Sequence, residues 1–181
     1  YKDYPCSDTY SHLNGNLEKE EYREGIYTGY RYFDSFGINP LYSFGYGLSY
    51  TTFGLKFCGM ETEKGAVRVR VMVTNTGKCF SGREVVQVYI SLPQGKIEKE
   101  SRRLAGFIKT KRLDPGESRE VTIKIRQKQL AVYYEERQEW VVEAGMYGIW
   151  VGNSIDSALI SAYLTVPQEV VMEKTHRICP R

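Results

Sequence analysis

Histidine is nearly absent from this 181-residue chain, which has only His12 and His176. Both lie in probable extensions far from any GxSxG-type elbow, so a nucleophilic triad with a histidine base is not implied; both read as exposed polar residues. Cysteine is almost as scarce: Cys6, Cys58, Cys79 and Cys179 are widely scattered, without the close pairing of a zinc site or a redox CxxC. They read as separate reduced thiols and lean toward a cytoplasmic or cell-associated setting. A Cys58–Cys79 bridge is conceivable, because strands near those positions can be neighbours. No apolar run approaches the length that spans a bilayer, so no membrane association is expected. HExxH, EF-hand and GxxxxGK[ST] patterns are missing as well, and neither a metal nor any other cofactor is implied. The formal net charge is only +3, with both signs interspersed. That is far from the clustered basic footprint of a nucleic-acid binder, and KTKR at 109–112 reads as a solvated strand face. The opening YKDYPCSD has neither an initiator methionine nor a basic or apolar leader region, and reads as part of a longer protein.

What the chain does have, from about residue 51 onward, is period-two alternation bounded by turn residues. In AVRVRVMVTN, Val67, Val69, Val71 and Val73 share one face while Arg68, Arg70, Met72 and Thr74 share the other, predicting a strand with one buried side. In EVVQVYISL, Val86, Val88, Ile90 and Leu92 alternate, but Val85 and Tyr89 make the second face apolar too. This predicts a strand inside its sheet, covered on both sides. REVTIKIR, after the turn DPGES, places Val121, Ile123 and Ile125 inward. MYGIWVG and ALISAYLTV follow Gly145, a residue able to take positive φ. With TTFGLKF, LAGFIKT and QEWVVE the total is about eight strands, at the spacing of an all-β, immunoglobulin or fibronectin type III-like β-sandwich.

The first 50 residues differ. GNLEKEEYREG is a charged loop with an Asn14-Gly15 turn, and the tract from 22 to 53, dense in tyrosine and glycine, has no clean alternation. It reads as an extended N-terminal arm, its rings packing on a neighbouring surface. The expected organisation is an arm and linker at 1–50 lying against a domain that precedes the sandwich, a β-sandwich at 51–166, and a tail at 167–181 that is either a linker or a terminal extension.

The segments EGIYTGYRYFD (Glu24 to Asp34) and PLYSFGYGLSYTTF (Pro40 to Phe53) join a proline, glycines and aromatics in a fixed order. They are followed by VTNTGKCFSGREVVQVYI, LAGFIKTKRLDPGESREVTIKI and WVVEAGMYGIWVGNS. Over residues 20 to 166 this series resembles the C-terminal region of glycoside hydrolase family 3, the β-glucosidase and β-xylosidase type: the end of its α/β sandwich domain and its fibronectin type III-like domain. The departure is KESRRL at 99–104, where relatives often carry Arg-Pro and Lys-Glu, and it bears on local charge contacts. The physical reading of the linker is that Gly45 and Gly47 let it turn while Phe44, Tyr46 and Tyr50 fill space between domains. Asn75-Thr76-Gly77 and Asp114-Pro115-Gly116 turn the chain between strands.

The resemblance implies a parent that hydrolyses terminal β-linked sugars, glucose foremost, by a retaining mechanism. Its catalytic domains, upstream or downstream of this segment, would be this segment's partners and would handle the oligosaccharide or β-glucoside substrate. Retaining hydrolysis needs two carboxyl groups about 5 to 5.5 Å apart, and neither family motif for them is present. No catalytic residue is therefore assigned; Asp34, Glu20, Glu21, Glu135 and Glu136 read as solvated acids, and the segment alone is expected to be inactive. Tyr42 and Tyr46 are the candidate substrate-binding residues, with Trp150 a third aromatic able to stack on a sugar ring. The alternative is a stand-alone carbohydrate-binding or adhesion module, whose tyrosines would form an exposed platform.

Overall fold

The computed structural model describes residues 23–95 and 97–176. Within these, one α-helix and ten strands follow in order, with a short 3-10 helix at Gln127–Leu130 between the fifth and sixth strands: α1 (Tyr30–Phe36), β1 (Phe53–Glu63), β2 (Ala66–Asn75), β3 (Val85–Ser91), β4 (Arg103–Lys109), β5 (Ser118–Arg126), β6 (Val132–Tyr134), β7 (Glu139–Val142), β8 (Gly145–Gly152), β9 (Leu159–Val166) and β10 (Val170–Lys174). They form antiparallel sheets with orders β1-β2-β5, β4-β3-β8-β9 and β10-β7-β6.

Alternation decides which faces meet. The four valines of β2 are buried, Arg68 stands exposed, and β5 buries Val121, Ile123 and Ile125 in register with them. Strand β3 is buried continuously from Val86 to Ile90 and lies inside its sheet, as its two apolar faces predict. Val86, Val88 and Ile90 join the β2 valines, Ile123, Val141 and Ile149 in a single core, so the sheets pack face to face as a β-sandwich.

The turns follow their sequence signals. Asp114-Pro115-Gly116 closes with Glu117 N donating to the Asp114 carbonyl at 2.9 Å, and the Glu117 carboxylate accepts from Asp114 N at 2.9 Å. Gly145 has φ of 145°, and a Cβ there would meet the Pro93 Cβ at 2.6 Å, so glycine is required on both counts. Asn75 does more than turn the chain. Fully buried, its Nδ2 donates to the Phe80 and Leu113 carbonyls at 2.9 and 3.0 Å, while its Oδ1 accepts from Thr51 Oγ1 at 2.6 Å and Gly77 N at 3.1 Å. One amide therefore ties the β2 end, the start of β1 and two loops together, with its hydrogen-bonding capacity used in full.

Some expectations hold and others are corrected. Cys58 and Cys79 are free thiols, as their scatter suggested, and the conceivable bridge between them is not formed: Cys58 sits at a bulge in β1, and Cys79 is exposed in the loop after β2. Cys6 and Cys179, the Asn14-Gly15 turn and His12 lie outside the described residues. The arm contains a short helix that its sequence pattern did not announce. Residues past Val166, expected as a tail, contribute β10, which pairs with β7. Gly47, unlike Gly45, has neither positive φ nor a crowding neighbour.

Strand β10 is held partly by charge. Burial pushes the Glu139 pKa up, but hydrogen bonds from Arg137 and from Lys174 of β10 outweigh this and hold it below the ordinary 4.5. A carboxyl group with a folded value below its unfolded one adds stability above pH 4.5, lost as pH falls through the folded value. The melting-temperature difference between the native chain and Glu139→Gln is accordingly expected to be greatest above pH 4.5 and to vanish on acidification. Asn75→Ala is expected to cost about 2 to 4 kcal/mol in denaturant unfolding, because it leaves buried carbonyls and a hydroxyl without partners.

Candidate functional site: the docked aromatic arm

The segment KESRRL, residues 99–104, is where the arm is held. Tyr27 Oη donates to the Lys99 carbonyl at 3.4 Å, and Arg31 Nε lies 3.7 Å from Glu100 Oε1. Ser101 N donates to Ser35 Oγ at 2.9 Å, and Leu104 N donates to Tyr30 Oη at 2.8 Å. Arg102 Nε donates to Asp34 Oδ2 at 3.1 Å, and its Nη2 donates to Asp34 Oδ1. Helix α1 makes this possible: Tyr30 and Asp34, one turn apart, project together, as do Arg31 and Ser35.

Arg102 is the hub. Beyond the bidentate pair with Asp34, its Nη1 donates to the Ile155 carbonyl at 3.0 Å and its guanidinium lies over the Trp150 ring at 4.9 Å. A planar fork with a π face is the group that fits such a site. The neighbouring Glu100 is 3% exposed and neutralised by Arg103, whose Nη1 also donates to the Ala131 carbonyl at 2.7 Å.

Rings complete the junction. Tyr30 stacks on Phe44 at 4.5 Å and meets Tyr89 edge-on at 6.2 Å. Tyr30, with Leu104 and Trp150, packs against Tyr89, Ile155 and Ala158 in a second apolar cluster on the outer face of the four-stranded sheet. Burial, with Tyr30 beside it, pushes the Tyr89 hydroxyl well above the usual tyrosine range, and that hydroxyl donates to Gln87 Oε1. Ile155 N donates to the Phe44 carbonyl at 2.9 Å, and Gly45, at φ of 89°, fits where a Cβ would lie 2.9 Å from Ser154 Cα. The linker thus rests on the sandwich through Phe44 and Gly45.

Beyond that contact, and a tilted Tyr50–Phe80 ring pair at 6.1 Å, it is largely exposed. Leu41, Leu48 and Tyr50 are 89%, 91% and 92% exposed, and Tyr42 and Tyr46, rings 5.0 Å apart, are exposed as well. An open cleft of about 310 Å³ beside them is bordered by Tyr30, Phe33, Asp34, Asn39, Tyr42 and Phe44.

Among the predicted site residues, the structure brings Tyr42 and Tyr46 together and leaves Trp150 apart, with one face under Arg102 and its Nε1 donating to Ser91 Oγ at 3.1 Å. Asp34 is not a solvated acid. It is committed to Arg102, and among the described residues no second carboxylate lines the cleft beside it. Glu135 and Glu136 are exposed between β6 and β7, and His176 is exposed; Glu20 and Glu21 lie outside the described residues. Among the described residues no group of three or more potential ligands is placed to hold a metal ion. The sequence reading missed Arg102 and Asn75. The charge density of KESRRL was the available signal for the first; for the second there was only a turn motif.

Residues 84–155 match the fibronectin type III-like domain family. The chain is 39% identical over 178 residues to a β-glucosidase of Ruminococcus albus, covering 95% of this chain and 18% of that protein. It is 42% identical over 159 residues to a Kluyveromyces marxianus β-glucosidase, covering 86% and 19%. Among solved structures, a Paenibacillus barengoltzii β-glucosidase superposes with a TM-score of 0.85 at 38% identity, covering 97% of this chain and 20% of that one. Thermotoga neapolitana β-glucosidase 3B, solved with α-D-glucose, gives 0.78 at 44% identity, covering 84% and 21%. The chain thus spans about one fifth of the length of the relatives it matches. With the sandwich, the aromatic arm and these matches all over the same stretch, the chain belongs to glycoside hydrolase family 3 of the β-glucosidase type, as its accessory C-terminal segment carrying the fibronectin type III-like domain.

Proposed function

We propose that this chain buttresses a retaining β-glycosidase that hydrolyses terminal β-linked sugars, glucose foremost, with the catalytic carboxylates in other domains of the same parent protein, upstream or downstream of this segment. One observation carries the reading. The arm is fixed to the sandwich by Arg102, yet Leu41, Leu48 and Tyr50 stand almost wholly exposed. Apolar side chains presented in series on a rigid support form a surface that another body covers. The relatives, β-glucosidases of which this chain spans about one fifth, support a catalytic domain as that body. A sandwich bonded to the arm, and an arm bonded to a catalytic domain, would set the orientation of one against the other.

The exposed Tyr42–Tyr46 pair favours one finer reading, in which the two rings border the substrate on its aglycone side. In the full-length parent, Tyr42→Ala or Tyr46→Ala is then expected to raise KM with little change in melting temperature; a lowered melting temperature at unchanged KM assigns them to packing instead.

The main reading predicts that the purified segment neither cleaves aryl β-glucosides or β-xylosides nor binds oligosaccharides saturably, and that activity returns when it is mixed with the remainder of its parent. Turnover by the segment alone would refute it. Saturable sugar binding without restored activity would point to a carbohydrate-binding module. In the intact parent, Arg102→Met is expected to cost about 3 kcal/mol by stranding the buried Asp34 carboxylate. It should also speed hydrogen exchange across residues 27–46 while the β2 and β3 amides stay protected.

A further inference from the structure

Among the described residues six strands stand at sheet edges: β1, β5, β10, β6, β4 and β9. Exposed edges invite strand addition, and proteins blunt them with charge, brevity or proline. Five of the six are blunted. Strand β1 carries Lys56, Glu61 and Glu63; β5 carries Arg119, Glu120, Lys124 and Arg126; β4 has Arg103 and Lys109 at its ends; β10 has Glu173 and Lys174; and β6 is only three residues long.

Strand β9 is the exception. Its eight residues, LISAYLTV, include no charge, proline or glycine. Leu159, Ile160 and Tyr163 are 71%, 42% and 57% exposed, and exposed Met146 of β8 extends the strip beside Thr165 and Tyr163. Among the described residues β9 pairs with β8 on one side, and no strand lies on the other. The register shift near Ser161 leaves Ala162–Val166 regular, and Pro167, lacking an N–H, bounds the pairing stretch at its far end.

We propose that β9 is a self-pairing surface, along which a second copy of the chain adds its own β9 antiparallel and joins two four-stranded sheets across a two-fold axis. Charge selects this occupant. Two-fold pairing sets each residue of the strand against another of the same strand, so any charge in it risks facing its own sign. The other edge strands of comparable length carry such charges; β9 has none in any register. Neutral, β-branched and aromatic residues are also those that pair well across strands.

The test uses the full-length parent protein and needs no activity. Analytical ultracentrifugation across about 1 to 100 µM is expected to show a monomer–dimer equilibrium. Tyr163→Lys/Thr165→Lys, two exposed positions in the regular stretch, is expected to weaken it at least tenfold without changing the melting temperature. In the native protein, hydrogen exchange of the β9 amides should slow as concentration rises, a reading that stands even if the double variant folds poorly. A monomer at every concentration would overturn the proposal, as would a dimer that the double variant leaves intact. So would β9 protection independent of concentration, which would mean that another part of the same polypeptide covers the strand.

Discussion

Strand β3 is buried on both faces, and the rest of the molecule is arranged to meet that constraint. Val86, Val88 and Ile90 face the sandwich core, while Gln87 and Tyr89 face outward into what would be solvent in a bare sandwich. A sheet apolar on both sides needs two covers. The second sheet layer supplies one and the arm the other, through Tyr30 against Tyr89 and Phe44 against Tyr30. The arm is therefore the third layer of this domain rather than an appendage.

Apolar covering alone is not directional, and the polar contacts of 99–104 set the register of the arm. Arg102 makes three kinds of contact from one guanidinium: a bidentate carboxylate pair, a carbonyl bond, and a face over Trp150. Lysine would supply the charge without the fork or the stacking face. The charged and polar residues of this segment carry the docking of the arm. Asn75 performs a corresponding task among the loops at the end of β2, using one neutral amide where the arm uses ions.

Much of the sandwich was legible because burial imposes a period of two. The valines of β2, the alternation of β5 and the two-sided burial of β3 all stood in the residues themselves, and the turn at Asp114-Pro115-Gly116 announced itself through backbone-restricted residues. Helix α1 was not legible. At seven residues, YRYFDSF is too short for its apolar spacing to separate from that of a loop, and it has no side-chain N-cap. Strands β6 and β10 are short and take their stability from β7, so their own sequences show little periodicity. Tyr42 and Tyr46 were singled out by type and are brought together by the loop between them; Trp150, singled out on the same grounds, is used in packing.

The sequence by itself determined the all-β character, the inward faces of the long strands, the family, and the aromatic arm, because each of these rests on residue order within a few positions. Tertiary structure alone decided what the arm is attached to. Asp34 and Arg102 are 68 residues apart, and Thr51 and Asn75 are 24 apart. Nothing local to either partner distinguishes a committed acid or amide from a solvated one. It also decided that Cys58 and Cys79 stay apart and that β9 stands at an edge. Neighbours across a sheet are set by strand order, and strand order emerges only when all faces are buried together.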